Sequence, residues 1–205
     1  GNSGGARPKA VFSDADGHWI VKFRHTYDPA DIGIQEYEYN ESARKSGIAV
    51  PDFKLISGRY FATRRFDIDS EGNRLHMSTA GGLLCLSLRE PFMDYSNLLA
   101  LTGYITQSSE DVEQMYRRML FNYLTDNKDD HCKNFSFYVI RDTGSGEWQW
   151  RLAPAYDLTL CTEGYNGEHA TSVNGTVAPR MSDFIAVGTK IKIPAFRAEK
   201  SHPPS

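Results

Sequence analysis

Residues 125–134 form a run of acidic and amide side chains that lies between a long amphipathic stretch and a β-type stretch. Asp129 and Asn134 within this run have the D-x-x-x-x-N spacing in which a carboxylate accepts a hydroxyl proton and an amide oxygen binds a metal during phosphoryl transfer. A further acidic residue, Asp157, follows a later strand-like run. Carboxylates this close repel one another unless a cation compensates them. The alternative is a solvated loop in which Asp and Asn only form turns.

Hairpin geometry predicts that Asn134 and Asp157 meet. Residues 135–141 and 148–152 resemble two antiparallel strands joined by a glycine-containing turn, so the outer ends of the two strands lie together. A carboxylate and an amide oxygen, completed by water and phosphate oxygens, suit Mg²⁺. We therefore predict that Asn134 and Asp157 bind Mg²⁺ beside nucleotide phosphates and that Asp129 accepts a proton.

A phosphate-binding site also needs cations and a covering loop. Lys22 lies on a predicted strand and Glu36 on the following helix, the order of the lysine and glutamate that pair in kinases. The alternative for each is an exposed surface charge. Gly4, Gly5 and Lys9 belong to a glycine-rich, cationic run before a strand. Glycine lets backbone N–H groups approach an anion, so this run predicts a phosphate-covering loop.

The predicted secondary structure that positions these residues changes along the chain from mostly strands to mostly helices. Alternating apolar residues predict strands before residue 67, and a proline-free run predicts one helix among them. These elements are strands around 10–12 and 18–23, a helix over 32–45, and strands over 53–56 and 60–66.

Beyond a polar connector at residues 67–73, helical spacing dominates. We predict a helix over 95–104 and a second helix that Ser108 caps, followed by the two strands of the hairpin. The sequence thus predicts an α+β protein with a β-rich lobe at residues 1–66 and a mainly helical lobe at residues 67–205.

Composition excludes several classes of protein. The 23 Lys and Arg and 26 Asp and Glu residues give a formal net charge of −3, which argues against broad nucleic-acid binding. No run approaches the length of a membrane span, so we expect a soluble protein that does not bind membranes. The three cysteines are far apart and odd in number, which argues against a disulfide framework and favours the reducing cytoplasm.

Taken together, these motifs resemble the HipA-like serine/threonine kinases of bacterial toxin–antitoxin systems. The resemblance covers roughly residues 3 to 190. It rests on Ser3-Gly-Gly-Ala-Arg-Pro-Lys9, Trp19-Ile-Val-Lys-Phe23, Glu36 ahead of Gly47-Ile-Ala-Val-Pro51, Arg65-Phe-Asp67, Asn127-x-Asp-x-His-x-Lys-Asn-Phe135 and Leu152-Ala-Pro-x-Tyr-Asp157.

The resemblance implies a role for each matching residue. Asp129 would be the catalytic acid/base, Asn134 and Asp157 the Mg²⁺ ligands, and Lys22 a contact of the ATP phosphates. The backbone from Arg64 to Phe66 would form the adenine-binding hinge.

Two residues flank the acid/base in the same pattern. Lys133 would neutralise charge on the transferred phosphoryl group, and His131 would order the loop through hydrogen bonds. The resemblance further implies that full-length members carry another subdomain ahead of the glycine-rich run, so we expect this sequence to be the core of a longer protein.

These observations predict a protein-kinase-like fold with two lobes and an ATP- and Mg²⁺-dependent serine/threonine protein kinase. The predicted partners are a protein acceptor and a DNA-binding antitoxin, with no direct contact to nucleic acid. Two alternatives remain: a catalytically inactive kinase-like module that docks to an antitoxin, and a kinase for a small molecule, because the acceptor is selected by surface shape rather than by these motifs.

Overall fold

A computed structural model describes residues 7–85, 93–162, 164 and 167–191. Residues 9–64 form a four-stranded antiparallel sheet with strand order β1-β2-β4-β3 and one helix. Its elements are β1 (Lys9–Asp14), β2 (Gly17–Lys22), α1 (Ile32–Lys45), β3 (Phe53–Ile56) and β4 (Tyr60–Arg64).

Helix α1 packs on this sheet through one side. Its buried residues recur at three- and four-residue intervals, the spacing of one helical face: Gly33, Glu36, Asn40 and Ala43. Gly33 permits the close approach, because a Cβ at that position would lie 2.1 Å from the carbonyl oxygen of Arg59. The same helical face thus carries Glu36 towards the strand that ends in Lys22.

The rest of the described chain contains four helices and two smaller sheets. The elements are β5 (Met77–Thr79), α2 (Ala80–Leu83), β6 (Met93–Asp94), α3 (Tyr95–Thr106), α4 (Ser109–Leu124), β7 (Ser136–Arg141), β8 (Trp148–Leu152), β9 (Thr171–Ser172) and α5 (Met181–Lys190). Strands β5, β7 and β8 form one antiparallel sheet in that order, and β6 pairs with β9 in parallel. No helix in the described ranges is long and apolar enough to cross a membrane.

Helix α4 lies at the centre of the main hydrophobic core. The Ser108 hydroxyl accepts a hydrogen bond from the Asp111 N–H at 3.2 Å and caps the helix start. Its apolar side chains Met115, Tyr116, Met119 and Leu120 are buried against α3 and the β7–β8 hairpin. Because the helix is anchored in this way, the loop that follows it begins from a rigid support.

The predicted elements are confirmed with small shifts at their ends. Helix α1 has the predicted bounds, whereas α3 continues to Thr106 and stops where Gln107 adopts φ 51°. Strand β4 stops at Arg64, two residues before the predicted end. The four short elements β5, α2, β6 and β9 and the helix α5 were not predicted, and elements of two to four residues carry almost no periodicity of their own.

Candidate active site

A buried ion-pair cluster joins the first sheet to the rest of the chain. Lys22 Nζ contacts Glu36 Oε1 and lies 2.8 Å from Asp157 Oδ1. The Glu36 side chain is 3% exposed and that of Lys22 is 12% exposed. Burial by itself would lower the pKa of Lys22, but the two carboxylates outweigh it and hold this pKa above its ordinary value. The lysine is therefore a fixed cation at the end of β2.

Helix α1 also anchors the chain beyond Asp157. The side-chain amide of Asn40 donates to the carbonyl oxygen of Glu36 at 2.8 Å and to that of Leu158 at 3.3 Å. Asp157 itself adopts a left-handed backbone conformation with φ 52°. Burial tends to raise the pKa of Asp157, but the charge and hydrogen bond of Lys22 lower it below its ordinary value. The carboxylate is thus held ionised beside the lysine.

Asp129, Asn134 and Asp157 line one cavity, although they lie far apart in the sequence. Asn134 Nδ2 donates to the backbone oxygen of Asp129 at 2.7 Å, and the Asn134 N–H donates to the carbonyl oxygen of His131 at 2.9 Å. The predicted meeting of Asn134 and Asp157 thus has a structural basis. Neither residue is within a strand: Asn134 precedes β7, and Asp157 lies in the loop after β8.

The oxygens of Asn134 and Asp157 could hold Mg²⁺. Because Asn134 uses Nδ2 as a donor to the backbone, its Oδ1 is the atom left to act as a ligand. Lys22 occupies Oδ1 of Asp157, which leaves Oδ2 for a cation. Within the described ranges no group of three or more His, Cys, Asp or Glu side chains gathers around one point. This donor set fits Mg²⁺, which commonly uses one or two protein oxygens and takes the rest from water and phosphate.

Asp129 is presented to the cavity rather than locked into the protein. Its side chain is 51% exposed, and its Oδ1 lies 3.5 Å from Nε2 of His131. Partial burial raises the pKa of Asp129, the negative charges of Asp157 and Asp130 add to the effect, and His131 opposes it. A carboxylate with a raised pKa is a better proton acceptor from a hydroxyl group than an ordinary aspartate.

The two residues that flank Asp129 in the motif have different surroundings. The side chain of Lys133 is exposed and does not line the cavity, while its backbone oxygen accepts a hydrogen bond from the Tyr156 hydroxyl at 2.7 Å. The imidazole of His131 faces Asp129, but its Nδ1 is buried and has no hydrogen-bond partner among the described residues. The backbone oxygen of His131 accepts the hydrogen bond from the Asn134 N–H, and the role of His131 in ordering the loop stays a prediction.

The predicted phosphate-covering loop is only partly described. Gly4 and Gly5 lie outside the described residues. Lys9 is half-buried and pairs opposite Lys22 in the β1–β2 ladder, and its charge contributes to the low pKa of Asp157. Sequence reasoning missed Arg7, whose Nη1 lies 3.6 Å from Glu36 Oε2.

The predicted hinge follows β4. The backbone N–H groups of Arg64 and Arg65 donate to the carbonyl oxygens of Asp52 and His18, at 2.7 and 2.8 Å. These two donors are thus used by the protein. Phe66 contacts the cavity wall, because its ring packs on that of Tyr156 with a centroid separation of 5.6 Å.

Sequence reasoning also missed Asp130, whose buried carboxylate anchors the loop. This carboxylate is 1% exposed. It accepts hydrogen bonds from the Tyr95 hydroxyl at 2.9 Å and from the backbone N–H groups of Ala170 and Thr171 at 2.8 and 3.2 Å, and it lies 3.1 Å from His169 Nδ1. The adjacent acidic pair was the available signal, since two neighbouring carboxylates seldom face the same side.

Solved structures with this fold include a protein of a toxin–antitoxin system and a kinase. HipA of Shewanella oneidensis MR-1, solved with HipB and operator DNA, matches with a TM-score of 0.73 and 21% identity, covering 98% of this chain and 54% of that one. The proinflammatory kinase CtkA of Helicobacter pylori matches with a TM-score of 0.56 and 14% identity, covering 95% and 87%. The predicted fold class is confirmed: the chain has an α+β, protein-kinase-like fold.

Sequence comparison identifies the protein family within this kinase-like fold. The profile of the HipA-like C-terminal domain matches residues 1–202, so the chain belongs to the HipA-like C-terminal domain family. A curated protein of Sinorhizobium fredii (strain NBRC 101917 / NGR234), named "Putative kinase Y4dM", is 27% identical and aligns over 81% of this chain and 43% of its own length. The chain thus spans about half the length of this relative.

Proposed function

We propose that this protein is an ATP- and Mg²⁺-dependent kinase that transfers the γ-phosphoryl group to a serine or threonine hydroxyl of a protein. The observation that carries the proposal is the assembly of Asp129, Asn134 and Asp157 around one cavity, with Lys22 bound to Asp157 and paired with Glu36. Separate segments of the chain supply these residues, and the kinase-like fold and family membership agree with their roles.

Each residue has a distinct role in the proposed mechanism. Lys22 binds the nucleotide phosphates as a fixed cation, and Glu36 prevents it from moving away. Asn134 and Asp157 hold Mg²⁺, which when bound neutralises phosphate charge. Asp129 accepts the proton of the attacking hydroxyl. Phosphoryl transfer needs little covalent assistance, so positioning and charge neutralisation account for most of the rate.

The first test compares the wild type with Asp129→Asn in a labelled-ATP transfer assay on a cell lysate and in a nucleotide-binding titration. We expect transfer to be lost and nucleotide affinity to stay within about threefold, because removing a proton acceptor does not remove a phosphate contact. The matched control is Asp126→Asn, an exposed aspartate of the same loop that does not line the cavity. Undiminished transfer by Asp129→Asn would reject the assignment.

The metal site has a separate test. Asp157→Ala removes a predicted Mg²⁺ ligand and one partner of Lys22, so the Mg²⁺-dependent part of nucleotide binding should disappear. Nucleotide affinity that responds to Mg²⁺ equally in this variant and the wild type would contradict the role of Asp157.

The acceptor and the partner are part of the same proposal. HipA of Shewanella oneidensis was solved with HipB and operator DNA, and we propose that this chain likewise has a DNA-binding antitoxin partner. The free thiols of its three cysteines agree with a cytoplasmic location. Label on a discrete protein band supports a protein kinase, label in a protein-free fraction indicates a small-molecule kinase, and no label with intact partner binding indicates an inactive docking module.

A further inference from the structure

Two buried polar side chains at the bottom of the cavity lack hydrogen-bond partners. Arg118 of α4 is 2% exposed and donates from Nη2 to the carbonyl oxygen of Ala153 at 2.6 Å. Its Nε and Nη1 have no partner among the described residues, and neither has Oδ1 of Asn127, a residue that is 3% exposed. Both side chains line the cavity that contains Asp129. Buried polar groups are nearly always hydrogen-bonded, so these three atoms call for a partner.

A chain of hydrogen bonds fixes which atom of Asn127 faces the cavity. Asp130 accepts hydrogen bonds from backbone N–H groups and is an acceptor, so the Tyr95 hydroxyl must donate to it. The Tyr95 oxygen then accepts from Asn122 Nδ2 at 2.9 Å, which leaves Asn122 Oδ1 to accept from Asn127 Nδ2 at 3.0 Å. The unpaired atom of Asn127 is therefore its oxygen, an acceptor.

One donor of Arg118, either Nε or Nη1, and the acceptor on Asn127 match a water molecule. A water can accept from the guanidinium and donate to the amide oxygen, whereas an anion would be repelled by that oxygen and by the nearby carboxylates. Both side chains line the same cavity, and a buried water needs two to four polar partners of this kind. We propose that Arg118 and Asn127 hold one buried water and that Arg118 is thereby a positioning residue for the catalytic loop.

The contacts of Arg118 show how it would influence the position of Asp129 without contacting it. Through Ala153 the guanidinium is bound to the chain just after β8, and through the water it reaches Asn127, where the loop of residues 127–134 begins. Burial lowers the pKa of Arg118 to about 10, so the side chain remains charged at neutral pH. Loss of this link removes one of the contacts that position the loop, beside the hydrogen bonds of Asn127 to Asn122. Only the expected kinetic effect of this inference rests on the proposed kinase function.

The water is tested on the wild-type protein, independently of activity. A high-resolution crystal structure should show one solvent peak within hydrogen-bonding distance of Asn127 Oδ1 and of Nε or Nη1 of Arg118. Crystals soaked in bromide should show no anomalous signal there. An absent peak, a peak that does not contact Arg118, or a bromide signal would each overturn the proposal.

The positioning role is tested by separating kcat from KM. Arg118→Met should lower kcat for phosphoryl transfer by about 10- to 100-fold, the range for loss of residues that orient a reacting group, and change the KM for ATP by less than about threefold. Arg118→Lys, which keeps a buried cationic donor, should recover part of the loss. Arg117→Met is the matched control, because this neighbour on α4 pairs with Glu113 outside the cavity.

The possible results distinguish a failure of the positioning role of Arg118 from a failure of the proposed kinase function. Unchanged kcat in folded Arg118→Met, or equal losses in Arg117→Met and Arg118→Met, would overturn the positioning role. If Arg118→Met does not fold, the kinetics of Arg118→Lys and the wild-type solvent peak still decide the proposal. If the wild type transfers no phosphate, the proposed kinase function fails, while the solvent peak still decides whether Arg118 and Asn127 hold a water.

Discussion

The ion-pair cluster of Lys22 makes a quantitative prediction about stability. Replacing Lys22 with Met removes the cation that pairs with Glu36 and Asp157. Glu36 is then a 3% exposed carboxylate whose remaining cation is Arg7, with 3.6 Å between Nη1 and Oε2. We expect Lys22→Met to unfold more easily in the absence of nucleotide, because a buried charge without a close partner is costly.

The loss in the free energy of unfolding depends on which buried charges each substitution leaves without a partner. Breaking a buried ion pair costs about 3–5 kcal/mol, and the remaining contact with Arg7 places Lys22→Met near about 3 kcal/mol. Glu36→Gln leaves Lys22 paired with Asp157 and should cost about 1.5 kcal/mol, the value of one hydrogen bond to a charged group. The double variant removes both fully paired buried charges and leaves only the partly exposed Asp157 without its lysine, so it should lose only about 2 kcal/mol. The coupling free energy between the two sites is then about 2.5 kcal/mol, within the range for contacting residues.

Urea denaturation of the four proteins without nucleotide measures these free energies of unfolding. A loss of about 3 kcal/mol corresponds to a melting temperature lower by roughly 6–12 °C for a chain of this size. Lys45→Met is the matched control, because Lys45 pairs with Glu41 on the exposed side of α1 and should show no measurable loss. Additive losses in Lys22→Met/Glu36→Gln, or a double variant less stable than Lys22→Met, would refute the reasoning.

Three further variants test other parts of the structure. Burial raises the pKa of Asp94, but its hydrogen bonds lower it further, so the pKa lies below the ordinary value. This N-cap therefore stabilises the protein at neutral pH, and the contribution is lost as the pH falls through the folded-state pKa. Asp94→Ala should make the urea midpoint depend less on pH in the acid range. Gly33→Ala should lose about 1–3 kcal/mol in urea denaturation, because the new Cβ would meet the Arg59 carbonyl, whereas Gly103→Ala should be neutral or gain up to about 1 kcal/mol. Asp130→Asn should lower both the free energy of unfolding and kcat, and a fully active, equally stable variant would contradict its anchoring role.

Local periodicity was sufficient to predict most of the larger elements that support the site. The helix over residues 32–45 lies in a proline-free run that ends at Ser46-Gly47, and the apolar spacing of α4 is regular over four turns. The pairing of β6 with β9 joins residues 93–94 to residues 171–172. Such a long-range contact between two-residue strands leaves no pattern in the sequence, so it could be found only from the folded chain.

The candidate site was predictable to the extent that motif spacing encodes it. Spacing connected Asp129 to Asn134, and chain order connected Lys22 to Glu36. It could not show that Lys22 also binds Asp157, because that contact depends on the packing of α1 against the loop after β8.

The adjacent residues Asp129 and Asp130 show why the loop sequence alone left two interpretations open. Both are aspartates, yet one side chain is 51% exposed and the other is 1% exposed, because donors from α3 and from residues 169–171 surround only the second. A solvated turn would leave both free to move. Here the inward carboxylate is bound by four groups distant in sequence, and this anchorage restrains the backbone that presents the outward one. The position of Asp129 therefore depends on buried polar contacts outside its motif, and variants of those contacts should affect transfer without touching the nucleotide.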